Sequence, residues 1–388
     1  MDMMDDTSTN SSLLDPENRC EEAKISSLLY SSTERRIILT LYPISLMIGL
    51  TGNIAFLIVL ACLPHMRTIT NFYLGNLAVA DIIFLCSLSY EVLVAYILSP
   101  VVKTVPYTSS LGCGLNTAVK YTSHIASVGL IFLVTLERYY GICKPLQHRM
   151  VVAKGRTCKL VSIAWLVGLF FAALVVPKYA SFHSKCITWP NKDKYDDMPS
   201  MIKSCNTVHP FFNIFQAIVL AFPLALVLSI NSVLYILIVQ KLGRRVISKS
   251  KDDNETQQTA SNVQSRRVRN QVARLLIITG TFFFFCCVPE FILRLNGVAL
   301  TLSEAAVGFK MTARQRHVVV WLARGLTTIN AVVNPIIYSV TNQQYRRAFT
   351  QVFMCRSMRE KPVLKSGSNA AQLQSLDTTN TVVSSTKD

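Results

Sequence analysis

The chain has 388 residues, 51% of them hydrophobic and 16% charged, with a mean hydropathy of +0.36 and a formal net charge of +17. Those proportions exclude an ordinary water-soluble domain. The basic residues stand in short stretches beside apolar segments, where anionic membrane lipid is the natural partner and nucleic acid is not.

The first thirty residues are polar and acidic, with neither a basic leader nor an apolar signal core, so the first apolar segment is expected to act as the anchor. Asn10 opens an Asn-Ser-Ser sequon there and is a candidate glycosylation site. Windows of about 19 residues mark apolar segments at 37–63, 71–98, 111–141, 158–180, 208–240, 270–297 and 316–341. Seven spans predict an all-α membrane protein, a seven-transmembrane helix bundle with its termini on opposite sides. The third window is interrupted by Asn116, Lys120 and His124, yet its ends make sense only in a span. From Cys113 to Arg138 a helix rises roughly 37 Å, enough to cross a bilayer. A charge in hydrocarbon costs roughly 2.5–3.5 kcal/mol, so Glu137 and Arg138 are expected at an interior or aqueous position.

Arg149, Lys154, Arg156 and Lys159 follow the third span. Lys241, Arg244, Arg245, Arg266, Arg267 and Arg269 lie between the fifth and sixth, and Arg346, Arg347, Arg356 and Arg359 follow the seventh. The positive-inside rule makes these segments cytoplasmic and leaves the N-terminus outside, as in a multi-pass plasma-membrane protein. The stretch 241–268, rich in Ser, Asn, Gln and charge, reads as a disordered linker.

Polar residues and prolines recur along the spans in a set order: Gly52-Asn53, then Asn76-Leu77-Ala78-Val79-Ala80-Asp81, Glu137-Arg138-Tyr139, Trp165, Pro223, Pro289 and Asn334-Pro335-Ile336-Ile337-Tyr338. Asp81 needs polar partners inside the bundle, and Asn53 and Asn334 are the candidates. The ordered set resembles the rhodopsin-like (class A) G-protein-coupled receptors over residues 36–355. The resemblance implies that Glu137, Arg138 and Tyr139 sit at the cytoplasmic mouth that receives a heterotrimeric G protein. It also implies that Asn334, Pro335 and Tyr338 rearrange on activation with Asp81, a sodium-site candidate. Tyr345-Arg346-Arg347-Ala348-Phe349 looks like a short amphipathic eighth helix at the lipid interface, with Cys355 a candidate for palmitoylation. The organisation expected is an extracellular segment 1–35, a receptor bundle 36–341, helix eight 342–355 and a disordered cytoplasmic tail 356–388. The cluster from Ser375 to Thr386 in that tail resembles receptor-kinase and arrestin sites.

Four of the eleven cysteines fall outside: Cys20, Cys113, Cys186 and Cys205. Two disulfides are expected, with three possible connectivities. The resemblance pairs Cys113 with a cysteine between the fourth and fifth spans. Cys186 is favoured because Cys205 lies close to the fifth span, with Cys205 the alternative and Cys20 taking the remaining one.

Glu91, Lys120, His124, Glu290, Arg294 and Arg324 are the candidate ligand contacts, and three Lys/Arg cations against two carboxylates favour a ligand of negative character. Lys120 stands where amine receptors carry an aspartate, and Thr328 where opsins carry the retinal lysine. Arg294 matches an arginine of several peptide receptors, including those for neuromedin U, ghrelin and neurotensin. Asn231 replaces a common tyrosine, as in FMRFamide-type receptors. The closest likeness is therefore to neuropeptide receptors of the neuromedin U, thyrotropin-releasing hormone and FMRFamide type. In the sixth span Cys286-Cys287-Val288-Pro289 puts Cys287 where the family has tryptophan, so ligand coupling must use other packing, with Phe283 or Phe284 the candidates. Arg269 stands where some members carry an acid that locks the arginine of span three, which predicts raised basal signalling.

The expected function is reception of an extracellular peptide and activation of a G protein, with a lean to Gq. The alternatives are a receptor for a small anion (carboxylate, lipid or nucleotide) and a scavenger that binds without signalling. No nucleophile–base pair, metal-ligand spacing or phosphate loop stands out, so neither an enzyme, a cofactor nor a catalytic metal is expected.

Overall fold

A computed structural model of the chain describes residues 21–22, 28–147, 154–189, 195–209, 211–251, 260–302 and 313–354. Within these, only the backbone is described for 21–22, 154, 242–251, 260–277, 300–302, 313–314 and 316–318. The elements in chain order are β1 (Glu21–Glu22), α1 (Ser32–Cys62), α2 (Ile69–Ser89), α3 (Ser110–Cys143), α4 (Lys154–Val175), β2 (Ser181–Thr188), β3 (Met201–Asn206), α5 (Phe211–Lys251), α6 (Ala260–Leu302), α7 (Ala313–Thr341) and α8 (Gln343–Phe353).

Local chemistry starts the helices. Ser31 and Glu34 form a reciprocal capping box: Glu34 N donates to Ser31 Oγ at 3.2 Å, and Ser31 N donates to Glu34 Oε2 at 2.8 Å. This opens α1 ahead of the apolar window. Thr68 caps α2 and Ser109 caps α3 through their side-chain oxygens. Beyond Ser89, α2 continues through a π turn at Tyr90–Val94 and a last turn at Ala95–Leu98. Pro223, Pro289 and Pro335 lie inside α5, α6 and α7, where span helices tolerate them because neighbours re-satisfy the freed carbonyls.

Among the described residues, six helices, α1 to α6, are long and apolar enough to cross a membrane. The seventh, α7, is not among those six because it carries Arg324, Asn330 and Asn334; Asn330 and Asn334 are buried in the protein, so its polarity faces inward. The outer surface is inverted relative to a soluble protein: Ile44 and Met47 on α1, Leu166 and Phe170 on α4, and Phe222 and Val233 on α5 are all exposed. At the centre α3 packs on α2, α4, α5 and α6, and α7 closes the ring against α6 and α1. The α3–α4 contact is close because Gly168 faces the α3 backbone, where a Cβ would lie 2.6 Å from the Thr122 carbonyl oxygen.

The chain to Phe349 is one compact unit. In it α8 buries Tyr345 and Ala348 and exposes Arg346 and Arg347, as expected of an interfacial helix. Thr350–Met354, taken by itself, completes the last turn of α8.

Three features depart from the sequence reading. The segment between α4 and α5 folds as an antiparallel hairpin, with Phe182 opposite Cys205 and Cys186 opposite Met201, and β1 joins the end of β2 in parallel. Its apolar side, Ile187, Trp189 and Ile202, packs with Val102, Leu28 and Leu29 into a small core of its own. Second, Cys113 is joined to Cys205 and not to Cys186. Cys205 reaches the start of α3 because it lies in the extended strand β3 and not in a first turn of α5. Cys186 is itself disulfide-bonded, while Cys20 lies outside the described residues. Third, the linker expected at 241–268 is cut at both ends, since α5 runs to Lys251 and α6 starts at Ala260. Asn10, Cys355 and the tail cluster also lie outside the described residues.

Candidate ligand-binding and transmission site

The face of the bundle that carries the hairpin contains an open cleft lined by Phe84, Leu88, Glu91, Lys120, Tyr121, His124, Glu290, Arg324 and Thr327. Five of the six candidate ligand residues thus share one cavity. Arg294, the sixth, lines a small adjoining cavity with His124, Glu290, Ile125, Val128, Leu220, Pro223 and Leu224.

Helix periodicity explains most of this placement. Lys120 and His124 stand one turn apart on α3, Glu290 and Arg294 one turn apart after Pro289, and Arg324 and Thr327 share a face of α7. Glu91 is different, because it sits in the π turn of α2, and such turns re-aim side chains at functional sites. No residue in Tyr90–Val94 announces that turn in the sequence.

The charges are arranged in pairs. Glu91 Oε2 accepts from Lys120 Nζ and, at 3.5 Å, from Asn116 Nδ2. Glu290 Oε1 accepts from Arg294, and its Oε2 lies 2.9 Å from the Thr327 hydroxyl. Arg324 is exposed on the cavity wall, and its guanidinium has no hydrogen-bond or ion-pair partner among the described residues. The three-to-two excess of cations thus resolves into two neutral pairs and one open cation.

The Lys120–Glu91 pair gives a first prediction. Breaking a buried pair costs about 3–5 kcal/mol, and here the cost should be smaller, since 27% of the Glu91 side chain still reaches solvent. Lys120→Met should lower surface receptor severalfold, and Glu91→Gln/Lys120→Met should restore it. Equal surface levels for single and double variants, read by an epitope tag, would show that the pair does not support the bundle.

Below the cleft, Asp81 is buried at 1% exposure. Its carboxylate accepts from Ser127 Oγ at 3.0 Å and from Asn334 Nδ2 at 2.8 Å. Asn334 was expected; Ser127 was not, and a serine one helix away leaves no signature in the sequence. Asn53 turns its amide nitrogen to the Gly49 and Ala331 carbonyls at 2.9 and 3.1 Å rather than to Asp81.

At the opposite face a small cavity is lined by Thr70, Thr135, Arg138, Tyr235, Thr279, Tyr338 and Tyr345, among others. Arg138 Nε lies 3.2 Å from Glu137 Oε2, and its Nη2 donates to the Thr70 hydroxyl, which in turn donates to Glu137 at 3.0 Å. Tyr139 packs beside Ile142 and Ile238. Tyr338 and Tyr345 lie 5.8 Å apart by ring centroids and both pack on Phe56. Burial pushes the Tyr345 phenol up to about 12, so it stays protonated and donates to Asn71 Oδ1. Pro335 sits one residue after Asn334, between the two polar layers. Tyr235 Oη and Thr135 Oγ1 are 3.0 Å apart, and the Tyr235 ring fills the space over Gly280, so that an added Cβ would displace it.

Around the missing tryptophan, Phe283, Cys286 and Cys287 are all buried, with 2% of Phe283 exposed. Phe284 is 46% exposed and turned out of the bundle, which removes it as a coupling residue. The side chain of Arg269 lies outside those described.

A membrane-spanning helix bundle with an ionic cleft at one face, a buried polar layer beneath it and an arginine cluster at the other face defines a transmembrane signalling receptor rather than an enzyme. The family described as 7 transmembrane receptor (rhodopsin family) matches residues 52–338, and the chain belongs to it. Among its relatives, the mouse somatostatin receptor type 2 is 24% identical over 83% of this chain and 78% of its own length. The neuromedin U receptor homolog nmur-2 of Caenorhabditis elegans is 26% identical over 81% and 78%. The chicken thyrotropin-releasing hormone receptor is 25% identical over 88% and 87%. Adrenergic and 5-hydroxytryptamine receptors match at similar identity.

Proposed function

We propose that this protein is a plasma-membrane receptor for an extracellular peptide, with its N-terminus outside, that activates a heterotrimeric G protein. One observation carries the ligand class: Arg324 stands open in a cleft whose other carboxylates and cations are paired. A cleft with a net cation suits a carboxylate or carbonyl and repels an ammonium, which argues against an amine even though amine receptors are among the relatives. The peptide named in each of the three relatives above supports the same class.

The mechanism is a shift between two arrangements. Ligand bound at Glu91, Lys120, His124, Glu290, Arg294 and Arg324 favours one state of α6 and α7. That state opens the cavity around Arg138 to the G protein, with Glu137, Tyr139, Asn334, Pro335 and Tyr338 rearranging between the two sites. Gq is the class we favour. Asp81 and Ser127 offer two oxygen donors, which suits a sodium ion in part, and Asn53 keeps a buried Oδ1 with no partner among the described residues. Receptor kinase and arrestin at the tail, lipid under α8, palmitate on Cys355 and glycan on Asn10 complete the reading.

The test is a calcium and cyclic-AMP response in cells expressing the full chain, challenged with a neuropeptide library and a panel of small anions. A saturable peptide response that Arg138→Ala abolishes is expected. A response to carboxylates, fatty acids or nucleotides alone would replace the peptide by a small anion, a reading that the single open cation also suits. Peptide binding without any response would leave a scavenger, as Cys287 in place of tryptophan allows.

A further inference from the structure

Glu34 stands at the outer end of α1 with only 7% of its side chain exposed. Burying a carboxylate is costly unless it is paired and hydrogen-bonded, and three segments of the chain supply the partners. Its Oε2 accepts from Ser31 N at 2.8 Å, which is all that the capping box asks of it. Its Oε1 lies 3.0 Å from Lys103 Nζ, in the segment between α2 and α3, and accepts from the Trp321 indole Nε1 of α7 at 2.9 Å. Neither of these two contacts serves the helix start.

The two additional partners belong to opposite sides of a joint. On one side, Lys103 N donates to the Leu28 carbonyl at 2.8 Å and Tyr30 N to the Val101 carbonyl at 3.0 Å, so residues 28–30 and 101–103 are laced together. Leu28, Leu29 and Val102 pack in the hairpin core with Ile187, Trp189 and Ile202, which ties the hairpin to Lys103 and to the Ser31 cap. On the other side, Trp321 packs against a different core, with Ile38, Tyr42 and Leu88. It stands three residues before Arg324, its neighbour on the same face of α7. Arg324 and Thr327 line the cleft, and the Thr327 hydroxyl meets Glu290 of α6 at 2.9 Å.

We propose that Glu34 is a positioning residue of the receptor: its carboxylate clasps the hairpin to the outer end of α7, so that a displacement of the hairpin is carried through Lys103 and Ser31 to Trp321 and on to Arg324. A ligand that leans on the hairpin then acts on α7 without touching it. That use of the clasp rests on the function proposed above; the clasp itself does not.

The chain's three tryptophans supply the test, because they report on three separate places. Trp189 lies in the hairpin core, where its indole donates to the Pro199 carbonyl at 3.3 Å, Trp321 lies on α7 and Trp165 on α4. The experiment uses the full chain with isotope-labelled tryptophan in nanodiscs, its indole N–H resonances read by NMR and assigned with Trp165→Phe, Trp189→Phe and Trp321→Phe. Ile202→Val, which removes one methyl from the hairpin core, should shift Trp189 and Trp321 and leave Trp165 in place. In Glu34→Met, which removes all three bonds, the same change should shift Trp189 and leave Trp321 where it is, and in Lys103→Met Trp321 should lose most of its response. Such a cycle measures coupling between the two places and not the stability of either. No shift of Trp321 with Glu34 and Lys103 in place, or a shift of equal size in the two variants, would overturn the proposal. A shift of Trp165 as large as that of Trp321 would mark a general loosening and would overturn it too. If Glu34→Met fails to fold, Lys103→Met decides, since the Lys103 side chain is 26% exposed and its loss leaves the cap and the Trp321 bond in place. No ligand enters the experiment, so its failure leaves the peptide reading standing, and failure of the peptide reading leaves the clasp standing.

Discussion

Replacing Cys205 by serine should reduce correctly folded receptor at the cell surface by at least tenfold, and Cys113→Ser should do the same. The bond closes a sequence separation of 92 residues, and a loop of that size restricts the unfolded chain by nearly 5 kcal/mol (about 4.7 for 100 residues). That is a large part of the roughly 5–15 kcal/mol by which a folded domain is stable. It also holds β3, and through it the hairpin, on the first turn of α3, above Lys120 and His124. The double variant Cys113→Ser/Cys205→Ser should be no worse than either single one, because both remove the same bond. Cys186→Ser should add to the loss, since Cys186 belongs to another disulfide. Surface counts by epitope tag decide it: if Cys186→Ser proved silent on a Cys113→Ser background while Cys205→Ser did not, the pairing would be wrong.

The cysteine assignment shows where a sequence stops being informative. Apolar windows located the spans, because each must be long and dry to cross a bilayer, and that constraint is written in consecutive residues. The family motifs placed Asp81 near Asn334 and Arg138 at the end of α3 for the same reason: each lies on a helix of known phase. The hairpin was missed because its register depends on cross-strand partners 20 or so residues apart and its core is shared with Leu28, Leu29 and Val102 from other segments. Pairing inside the cleft was legible in part: Lys120 could be matched with Glu91 and Glu290 with an unspecified cation, and both pairs are present. That Arg294 is the cation on Glu290 and that Arg324 is left open was not legible, and the place of Glu91 depends on a π turn in α2 that no residue type specifies. The end of α5 was misjudged for a different reason: Lys, Arg, Gln and Ser suit a solvated helix as well as a linker.

Gly280→Val should raise signalling in the absence of ligand, a bias of about 1–3 kcal/mol multiplying the open-to-closed ratio by roughly 5 to 150. Arg138 is held by Glu137 and Thr70, on α3 and α2, so those contacts do not by themselves hold α6 closed. With a cation at Arg269 in place of an acid, and Cys287 in place of tryptophan, the unmodified chain should already signal above mock-transfected cells. What the described residues do place between α5 and α6 is the Tyr235 ring, seated on Gly280 and tied to Thr135 on α3. A side chain at 280 forces the end of that ring to move, and overpacking of this kind costs about 1–3 kcal/mol. If the open arrangement moves α6 off Tyr235, the cost falls on the closed state alone and the equilibrium shifts. Removing the ring should cancel the effect, so Gly280→Val/Tyr235→Ala should signal no more than Tyr235→Ala. Ligand-free second-messenger output at matched surface density measures both. Unchanged output in Gly280→Val at normal surface levels, or a rise that Tyr235→Ala does not reverse, would mean that this contact does not hold α6 closed.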